Sequence, residues 1–258
     1  MKLLADLDAR AVRALLFDID DTLTTRGKLT AAAFNALERV HARGLRTVAV
    51  TGRPAGWCDH IARMWPVDAV VGENGAFYFR FAQGRLHKHY REAAEVRERN
   101  RIRLVAIGHR ILAAVPGCAI AADQPYRETD LAIDYCEDVP PLPLETAQRI
   151  AALMREAGLQ ARVSSIHVNG WFGDYDKLAM ARELLRQDLG IDLDGERDRV
   201  VYVGDSPNDA PMFEFFSQSV GVANLRRFAA VLDKPPKYIT TASAGAGFVE
   251  LAEHLLAA

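Results

Sequence analysis

The chain has 258 residues, of which 50% are hydrophobic and 26% charged, and its formal net charge is -2. That balance excludes a disordered chain and argues against a general nucleic-acid binder, which usually carries a basic surplus. No apolar run is long enough to span a bilayer, and Asp6 and Asp8 interrupt any signal-peptide core. Three scattered cysteines are too few for a disulfide framework or a Cys-x-x-Cys metal site. We therefore predict a cytoplasmic protein with neither a nucleic-acid nor a membrane partner.

Strands and helices alternate in the first third of the chain. Residues 13–19 form a short apolar run that predicts a buried strand. Thr30 can cap a helix that runs to about Arg43 and ends at Gly44. The same alternation then predicts a strand at 45–50, a helix at 55–64, a strand at 68–72 and a hairpin around Gln83-Gly84.

The middle of the chain follows another pattern, helix–strand–strand, which occurs twice. Its predicted elements are a helix at 92–114, strands at 118–123 and 130–136, a helix ending near 157, and strands at 161–165 and 166–172. Buried strands return at 199–204 and 219–223, and residues 243–247 are interpreted as a loop that enters a C-terminal helix. We therefore predict an α/β fold, a Rossmann-like parallel-sheet core over 1–90 and 172–258 with an α+β unit inserted at 91–171.

Carboxylates follow two of the predicted core strands. Asp18 and Asp20 leave the first strand, and Asp205 and Asp209 lie in the segment Gly-Asp-Ser-Pro-Asn-Asp that follows a later one. Ligands bind outside the carboxyl ends of open parallel sheets, so these four side chains are expected to converge. Converging carboxylates repel one another unless a cation separates them, and oxygen ligands favour Mg²⁺. A helix N-cap remains the alternative role for Asp209.

Two further segments carry groups suited to an anion. Thr51-Gly52-Arg53 follows the second strand at a helix N-terminus, where backbone N–H groups bind anions. Lys177 precedes another predicted helix and adds a positive charge. Asn208 is either a site residue or a turn former.

The order of these motifs resembles the haloacid dehalogenase (HAD) superfamily of phosphohydrolases over about 1–90 and 172–258. The insertion resembles the type-two (class IIB) cap of its Cof-like, sugar-phosphatase branch. Residues 72–79 and 204–209 are similar to segments of sucrose-phosphate and mannosyl-3-phosphoglycerate phosphatases. The matched positions are Asp18, Asp20 and Thr22 in the first motif, Thr51 in the second, Lys177 in the third and 204–209 in the fourth.

The resemblance implies a Mg²⁺-dependent phosphatase that hydrolyses a monoester of a small sugar or related metabolite. Asp18 is then the nucleophile that forms an aspartyl-phosphate, and Asp20 is the general acid and base. Mg²⁺ is held by Asp18, the Asp20 main-chain carbonyl and Asp205, with support from Asp209 directly or through water. Asp21 departs from the glycine that often occupies its position in the superfamily.

The resemblance further implies that Thr51, the following N–H groups and Lys177 stabilise the phosphoryl oxygens. Ser165, His167 and Asn169 share one strand face in the inserted unit. Arg127 could bind a carboxylate or a second phosphate, or pair with Asp134; a surface arginine is its alternative. The predicted substrate-binding residues are Thr51, Gly52, Arg53, Asn208, Arg127, His167 and Asn169.

Two other functions remain open. A phosphomannomutase-type phosphomutase shares such a core and cap, and would yield an isomerised sugar phosphate instead of free phosphate. A phospho-accepting regulatory module also places aspartates, a threonine and a lysine at strand ends, although Asp20 and the insertion argue against it. The sequence predicts a monomer or small homo-oligomer, and it does not identify the substrate.

Overall fold

A computed structural model describes residues 1–258. Its strands are β1 (Lys2–Leu3), β2 (Ala14–Phe17), β3 (Arg46–Val50), β4 (Ala69–Gly72), β5 (Phe77–Ala82), β6 (Arg85–Tyr90), β7 (Ala119–Ile120), β8 (Asp130–Asp134), β9 (Gln160–Val163), β10 (His167–Trp171), β11 (Val200–Gly204), β12 (Gln218–Gly221) and β13 (Tyr238–Ile239). Its helices are α1 (Ala31–Ala42), α2 (Ala55–Met64), α3 (Ala94–Ala114), α4 (Leu144–Glu156), α5 (Lys177–Asp188), α6 (Leu193–Glu196), α7 (Ala210–Phe215) and α8 (Ala244–Leu256). None of the helices combines the length and apolar character needed to cross a membrane.

Nine strands form the larger sheet, in the order β1-β13-β12-β11-β2-β3-β4-β5-β6. All pairings from β1 to β4 are parallel, and the β5–β6 hairpin extends the sheet with antiparallel pairs. Alternate residues of β2 enter different apolar clusters: Leu15 and Phe17 pack with α1 and α8, whereas Leu16 packs with α5. Burial on both faces explains why this strand is a continuous apolar run.

The inserted unit, which we call the cap, runs from α3 to β10. Its antiparallel sheet has the order β7-β8-β10-β9, and α3 and α4 pack on one face of it. Val168 of β10 faces those helices, whereas Trp171 belongs to the cluster of the larger sheet. One face of the cap sheet is therefore directed at the core, and the predicted fold class is confirmed.

Several predicted boundaries were wrong. The strand expected at 118–123 ends at Ile120, because a helical turn occupies Gln124–Tyr126 with Pro125 near its start. The loop expected at 243–247 is the first turn of α8, where Ala244 adopts φ 53° and its N–H is capped by Asn224. The two-residue strands β1 and β13 were not predicted.

Candidate active site

Neighbouring strands bring the first and fourth motifs together. β2 and β11 are adjacent and parallel, with Phe17 in register with Val203. The N–H of Asp18 donates to the carbonyl of Val203 at 2.9 Å, which places the end of β2 beside Asp205. The two carboxylates are almost fully buried at this edge of the sheet.

A lysine links the carboxylates of the two motifs. Lys177, the first residue of α5, places Nζ 3.2 Å from Asp18 Oδ1 and 2.8 Å from Asp209 Oδ1. Burial raises the pKa of Asp18 to about 7, with Asp209 and Asp20 adding to the rise and Lys177 opposing it. Burial alone would lower the pKa of Lys177, but the nearby carboxylates of Asp18 and Asp209 have the larger effect and raise it. The nucleophile predicted from the sequence therefore lies beside a permanent positive charge.

All four acceptor positions of Asp209 are filled. Oδ1 accepts from Lys177 Nζ and from the hydroxyl of Tyr202 at 2.5 Å, and Oδ2 accepts from the N–H groups of Asp205 and Ser206 at 3.0 and 3.2 Å. A carboxylate offers about four lone-pair positions, so none remains for a metal. The structure therefore favours an indirect role for Asp209, holding the lysine and the loop, over the direct ligation that was also considered.

Asp205 has one oxygen without a partner. Its Oδ2 accepts from Asn224 and Arg227, each at 3.2 Å, whereas its buried Oδ1 makes no hydrogen bond. Burial raises the pKa of Asp205 well above its ordinary value, and Asp18 and Asp209 add to the effect. One ligand atom from each of these three carboxylates lies within 4.8 Å of the others. A divalent cation at this point would satisfy the unpartnered oxygen and offset the repulsion, so the donor set fits Mg²⁺.

Asp20 is held by the arginine of the second motif. Arg53 forms a two-point ion pair with it, at 2.8 and 2.9 Å, and also donates to Glu137 at 2.5 Å and Asp123 at 3.3 Å in the cap. The guanidinium lies 4.3 Å from the ring of Trp57. Arg53 therefore ties the predicted general acid to the cap. The sequence had not indicated either cap carboxylate.

Thr51 and Gly52 lie in the turn before α2. The hydroxyl of Thr51 is fully buried and accepts from the N–H of Arg53 at 3.0 Å. A Cβ on Gly52 would come within 3.2 Å of the amide of Asn74, which makes no side-chain hydrogen bond. Asn208 is buried near Asp205 and accepts from the Ser206 hydroxyl at 2.8 Å, a contact that fits its turn-forming alternative.

The sequence had suggested that Arg127 pairs with Asp134, but in the structure it does not. Its guanidinium is bound by Asp123 and Asp130, donates to the carbonyl of Gly52 at 2.8 Å and has no exposed side-chain surface. Asp134 instead accepts from backbone N–H groups of residues 136–138. The structure therefore places Arg127 in a buried network between the cap and the second motif.

The two predicted cap residues on β10 face the core. Asn169 donates to Asp130 at 2.9 Å and lies near Gly52. His167 Nε2 lies 2.8 Å from Glu137 Oε2, but the two are not aligned for a hydrogen bond. Both side chains are 2% exposed, so a ligand would reach them only if the cap moved.

Glu73 is a functional-site neighbour that the sequence did not reveal. Its buried carboxylate accepts from the N–H of Ala55 in the core, and in the cap from the N–H groups of residues 128–130 and the Thr129 hydroxyl. Burial raises its pKa to about 7, assisted by Asp130 and opposed by Arg127 and the donors. Together with Arg53, Glu73 fastens the cap over the strand ends.

The comparisons with known proteins agree with this arrangement. The sequence model of the haloacid dehalogenase-like hydrolases matches residues 15–99, which include the first two motifs. No curated protein matches the chain. The fold is similar to that of a Thermoplasma acidophilum protein, with 17% sequence identity and a TM-score of 0.71 over 95% of this chain and 98% of that chain. It is also similar to a sugar phosphatase of HAD subclass IIB, with 17% identity and a TM-score of 0.62 over 94% of this chain and 98% of that chain. A third similar structure is the sucrose-phosphatase of Synechocystis, with 18% identity and a TM-score of 0.64 over 95% of this chain and 98% of that chain.

Each comparison carries a different weight. At these identities the solved structures show the fold, whereas the sequence match covers residues 15–99, a range that includes Asp18 and Thr51. The predicted resemblance to haloacid dehalogenase-like hydrolases is confirmed over residues 15–99, and the predicted core-and-cap fold is confirmed by its likeness to the solved structures.

Proposed function

From this site geometry, we propose that the chain is a Mg²⁺-dependent phosphatase acting on a phosphate monoester of a small sugar or related metabolite. The observation that carries the proposal is the placement of Asp18, which lies beside Lys177 and next to the unpartnered oxygen of Asp205. A nucleophile, a fixed cation and a site for a divalent cation thus meet at one sheet edge. They are the parts that phosphoryl transfer requires.

In the proposed reaction, Asp18 attacks phosphorus, and the bond to the leaving oxygen breaks as an aspartyl-phosphate forms. Asp20 donates a proton to that oxygen and later takes one from the water that releases phosphate. Lys177 and the N–H groups after Thr51 stabilise the phosphoryl oxygens. Mg²⁺ would be held by Asp18, the Asp20 carbonyl and Asp205. When bound, it would neutralise charge on the phosphoryl group.

Asp20 can act as the acid only after its contact with Arg53 changes. The two-point ion pair occupies both carboxylate oxygens of Asp20 and the space next to them. We infer that the leaving group takes the position of the guanidinium beside Asp20 when the cap opens and closes again. Closing a cap over the site would also exclude water.

The test is phosphate release from a panel of sugar phosphates, phosphoglycerate and phosphoglycolate, with Mg²⁺ and with a chelator. We expect metal-dependent release by the wild type, none above background by Asp18→Asn, and normal release by Asp6→Asn, which changes an exposed aspartate. Release that persists in Asp18→Asn would contradict the proposal. An isomerised product would indicate a mutase, and a stable phospho-aspartate without turnover would indicate a regulatory module.

Three further predictions accompany this proposal without a direct test. They are the division into a core (1–90 and 172–258) and a cap (91–171), a cytoplasmic location, and a monomeric or small homo-oligomeric state. Size-exclusion chromatography with light scattering measures the last of these.

A further inference from the structure

Asp21, at the position where the superfamily often has glycine, lies beside the proposed metal site. Its backbone adopts φ 52°, a left-handed conformation that asparagine and aspartate tolerate better than most residues. Its Oδ2 accepts from Nη2 of Arg227 at 3.2 Å, and the same nitrogen donates to Oδ2 of Asp205 at 3.2 Å. Arg227, in the helical turn Ala223–Phe228, therefore links the first-motif turn to a carboxylate of the fourth motif.

The orientation of the Asp205 carboxylate is held by groups other than Arg227. Asn224 donates to the same oxygen, Oδ2, at 3.2 Å, and its own amide is fixed because its Oδ1 accepts from the N–H of Ala244 at 2.8 Å. The N–H of Asp205 donates to Asp209 at 3.0 Å. What Arg227 adds to this arrangement is therefore chiefly its charge. A cation bound at the unpartnered Oδ1 of Asp205 would share that carboxylate with the guanidinium.

The formal charges around this point match a divalent cation only when Asp21 is included. Carboxylates that ligate a metal are ionised, and three of them have ligand atoms within 4.8 Å of one another, those of Asp18, Asp205 and Asp209. Lys177 offsets one of the three negative charges, and the ion pair of Asp20 with Arg53 is neutral, so two remain. Arg227 would reduce the two to one, and Asp21 restores them.

We propose that Arg227 and Asp21 together set the affinity of the site for Mg²⁺: the charge of Arg227 weakens binding of the cation, and Asp21 offsets that effect. The inference rests on the proposed Mg²⁺-dependent function. In water, one charge about 6 Å from a divalent cation changes its binding by about tenfold. The side chains of Arg227 and Asp21 are 44% and 23% exposed, so salt screens the effect further. Each charge should therefore change the Kd for Mg²⁺ by about three- to tenfold.

The test measures Mg²⁺ binding with no substrate present. The midpoint of thermal unfolding is followed as Mg²⁺ alone is added, and its rise with concentration gives the Kd, because a ligand of the folded state stabilises that state. Arg227→Met should lower the Kd about three- to tenfold. Asp21→Asn, which keeps a residue tolerant of positive φ, should raise the Kd at least threefold. The double variant should return to within about twofold of the wild type, because the two effects have opposite signs.

Three controls separate the charge of Arg227 from its contacts. Arg226→Met removes the same charge from the exposed neighbouring residue and should keep the wild-type Kd. Arg227→Lys retains the charge but not the guanidinium, and should stay within about twofold of the wild type. Raising KCl from about 20 mM to about 500 mM should at least halve the difference in log Kd between Arg227→Met and the wild type, since salt screens exposed charges. A merely structural role would give a difference that salt does not change.

Failure of this inference is distinguishable from failure of the proposed function. If the wild type binds Mg²⁺ but Arg227→Met binds it equally or more weakly, or if Arg226→Met or Arg227→Lys changes the Kd as Arg227→Met does, the inference is overturned and the metal site stands. An unchanged Kd in Asp21→Asn would overturn the part given to Asp21. A wild type that Mg²⁺ does not stabilise at any concentration up to about 20 mM would overturn the proposed Mg²⁺ dependence, and the inference with it.

Discussion

Replacing Gly75 by alanine should displace Lys177 without touching any catalytic side chain. Gly75 adopts φ +106°, and a Cβ built on it would lie 2.0 Å from the carbonyl oxygen of Asp176 and 2.9 Å from the backbone nitrogen of Lys177. Contacts below 3.0 Å essentially never occur for real Cβ atoms, so the start of α5 has to move by about 1 Å. Lys177 is the first residue of that helix and moves with it.

The expected loss of folding stability has two parts. A non-glycine residue at positive φ costs about 1–2 kcal/mol, and overpacking typically costs about 1–3 kcal/mol. Gly75→Ala should therefore lower the free energy of unfolding by about 2–5 kcal/mol. Since a misplacement of about 1 Å can cost a hundredfold in rate, we also expect kcat for phosphate release to fall by about that factor.

Gly44→Ala is the matched control. Gly44 adopts φ +94° after α1, and a Cβ there would meet nothing within 4 Å. This variant should lose only the conformational part, about 1–2 kcal/mol, and should keep its kcat. Denaturant unfolding and steady-state kinetics of the two variants provide the comparison. Equal destabilisation of both, with normal kcat in Gly75→Ala, would refute the role given to this contact.

Three further substitutions test individual contacts. Arg127→Met leaves two buried carboxylates without their partner and should lower the free energy of unfolding, measured with denaturant, by about 3–5 kcal/mol. A decrease below about 1 kcal/mol would contradict the role given to this buried network. Tyr202→Phe removes one buried hydrogen bond to the Asp209 side chain and should lower the free energy of unfolding by about 1–3 kcal/mol, measured the same way, while kcat changes far less than in Gly75→Ala. Folding raises the pKa of Glu73 to about 7. Between about pH 4.5 and pH 7 the folded state therefore retains a proton that the unfolded state loses. The free energy of unfolding should fall by up to about 3 kcal/mol as the pH rises through this range. Glu73→Gln should flatten that part of the stability profile, and parallel profiles for the two proteins would count against it.

Patterns within short segments predicted most of the fold. α2 occupies the residues predicted for it, and Thr30 caps α1 as expected, with its side chain accepting from Ala33. β2 was recognisable because burial on both faces makes a strand apolar throughout. The two strands at one edge of the sheet were missed because β1 and β13 have two residues each, too few to show a period.

The contacts across the cap boundary were not predictable in the same way. Glu73 lies in a turn, where a glutamate is ordinarily solvated, and most of its partners are more than fifty residues away in the sequence. For Arg127 the sequence suggested Asp134 as a partner, whereas the structure pairs it with Asp123 and Asp130. The turn at Gln124–Tyr126 brings Asp123 and Asp130 to its guanidinium, whereas Asp123 was expected to be the last residue of a strand.

The convergence of the strand-end carboxylates followed from parallel strands sharing one sheet edge. The sequence could not show which donors hydrogen-bond to the carboxylate oxygens of Asp209. Two partners of this carboxylate, Lys177 and Tyr202, come from α5 and β11, so its saturation is a property of the assembled fold. For this reason, the sequence alone could not distinguish direct ligation of Mg²⁺ by Asp209 from an indirect role.

The measurement that tests the central claim most directly is phosphopeptide mapping of protein quenched in acid during turnover. With Mg²⁺ and a hydrolysed ester, we expect a phosphoryl group on the peptide that contains Asp18, appearing and decaying with turnover and absent from Asp18→Asn. Sustained phosphate release with no phosphoryl group on Asp18, or with one on another residue, would contradict the account.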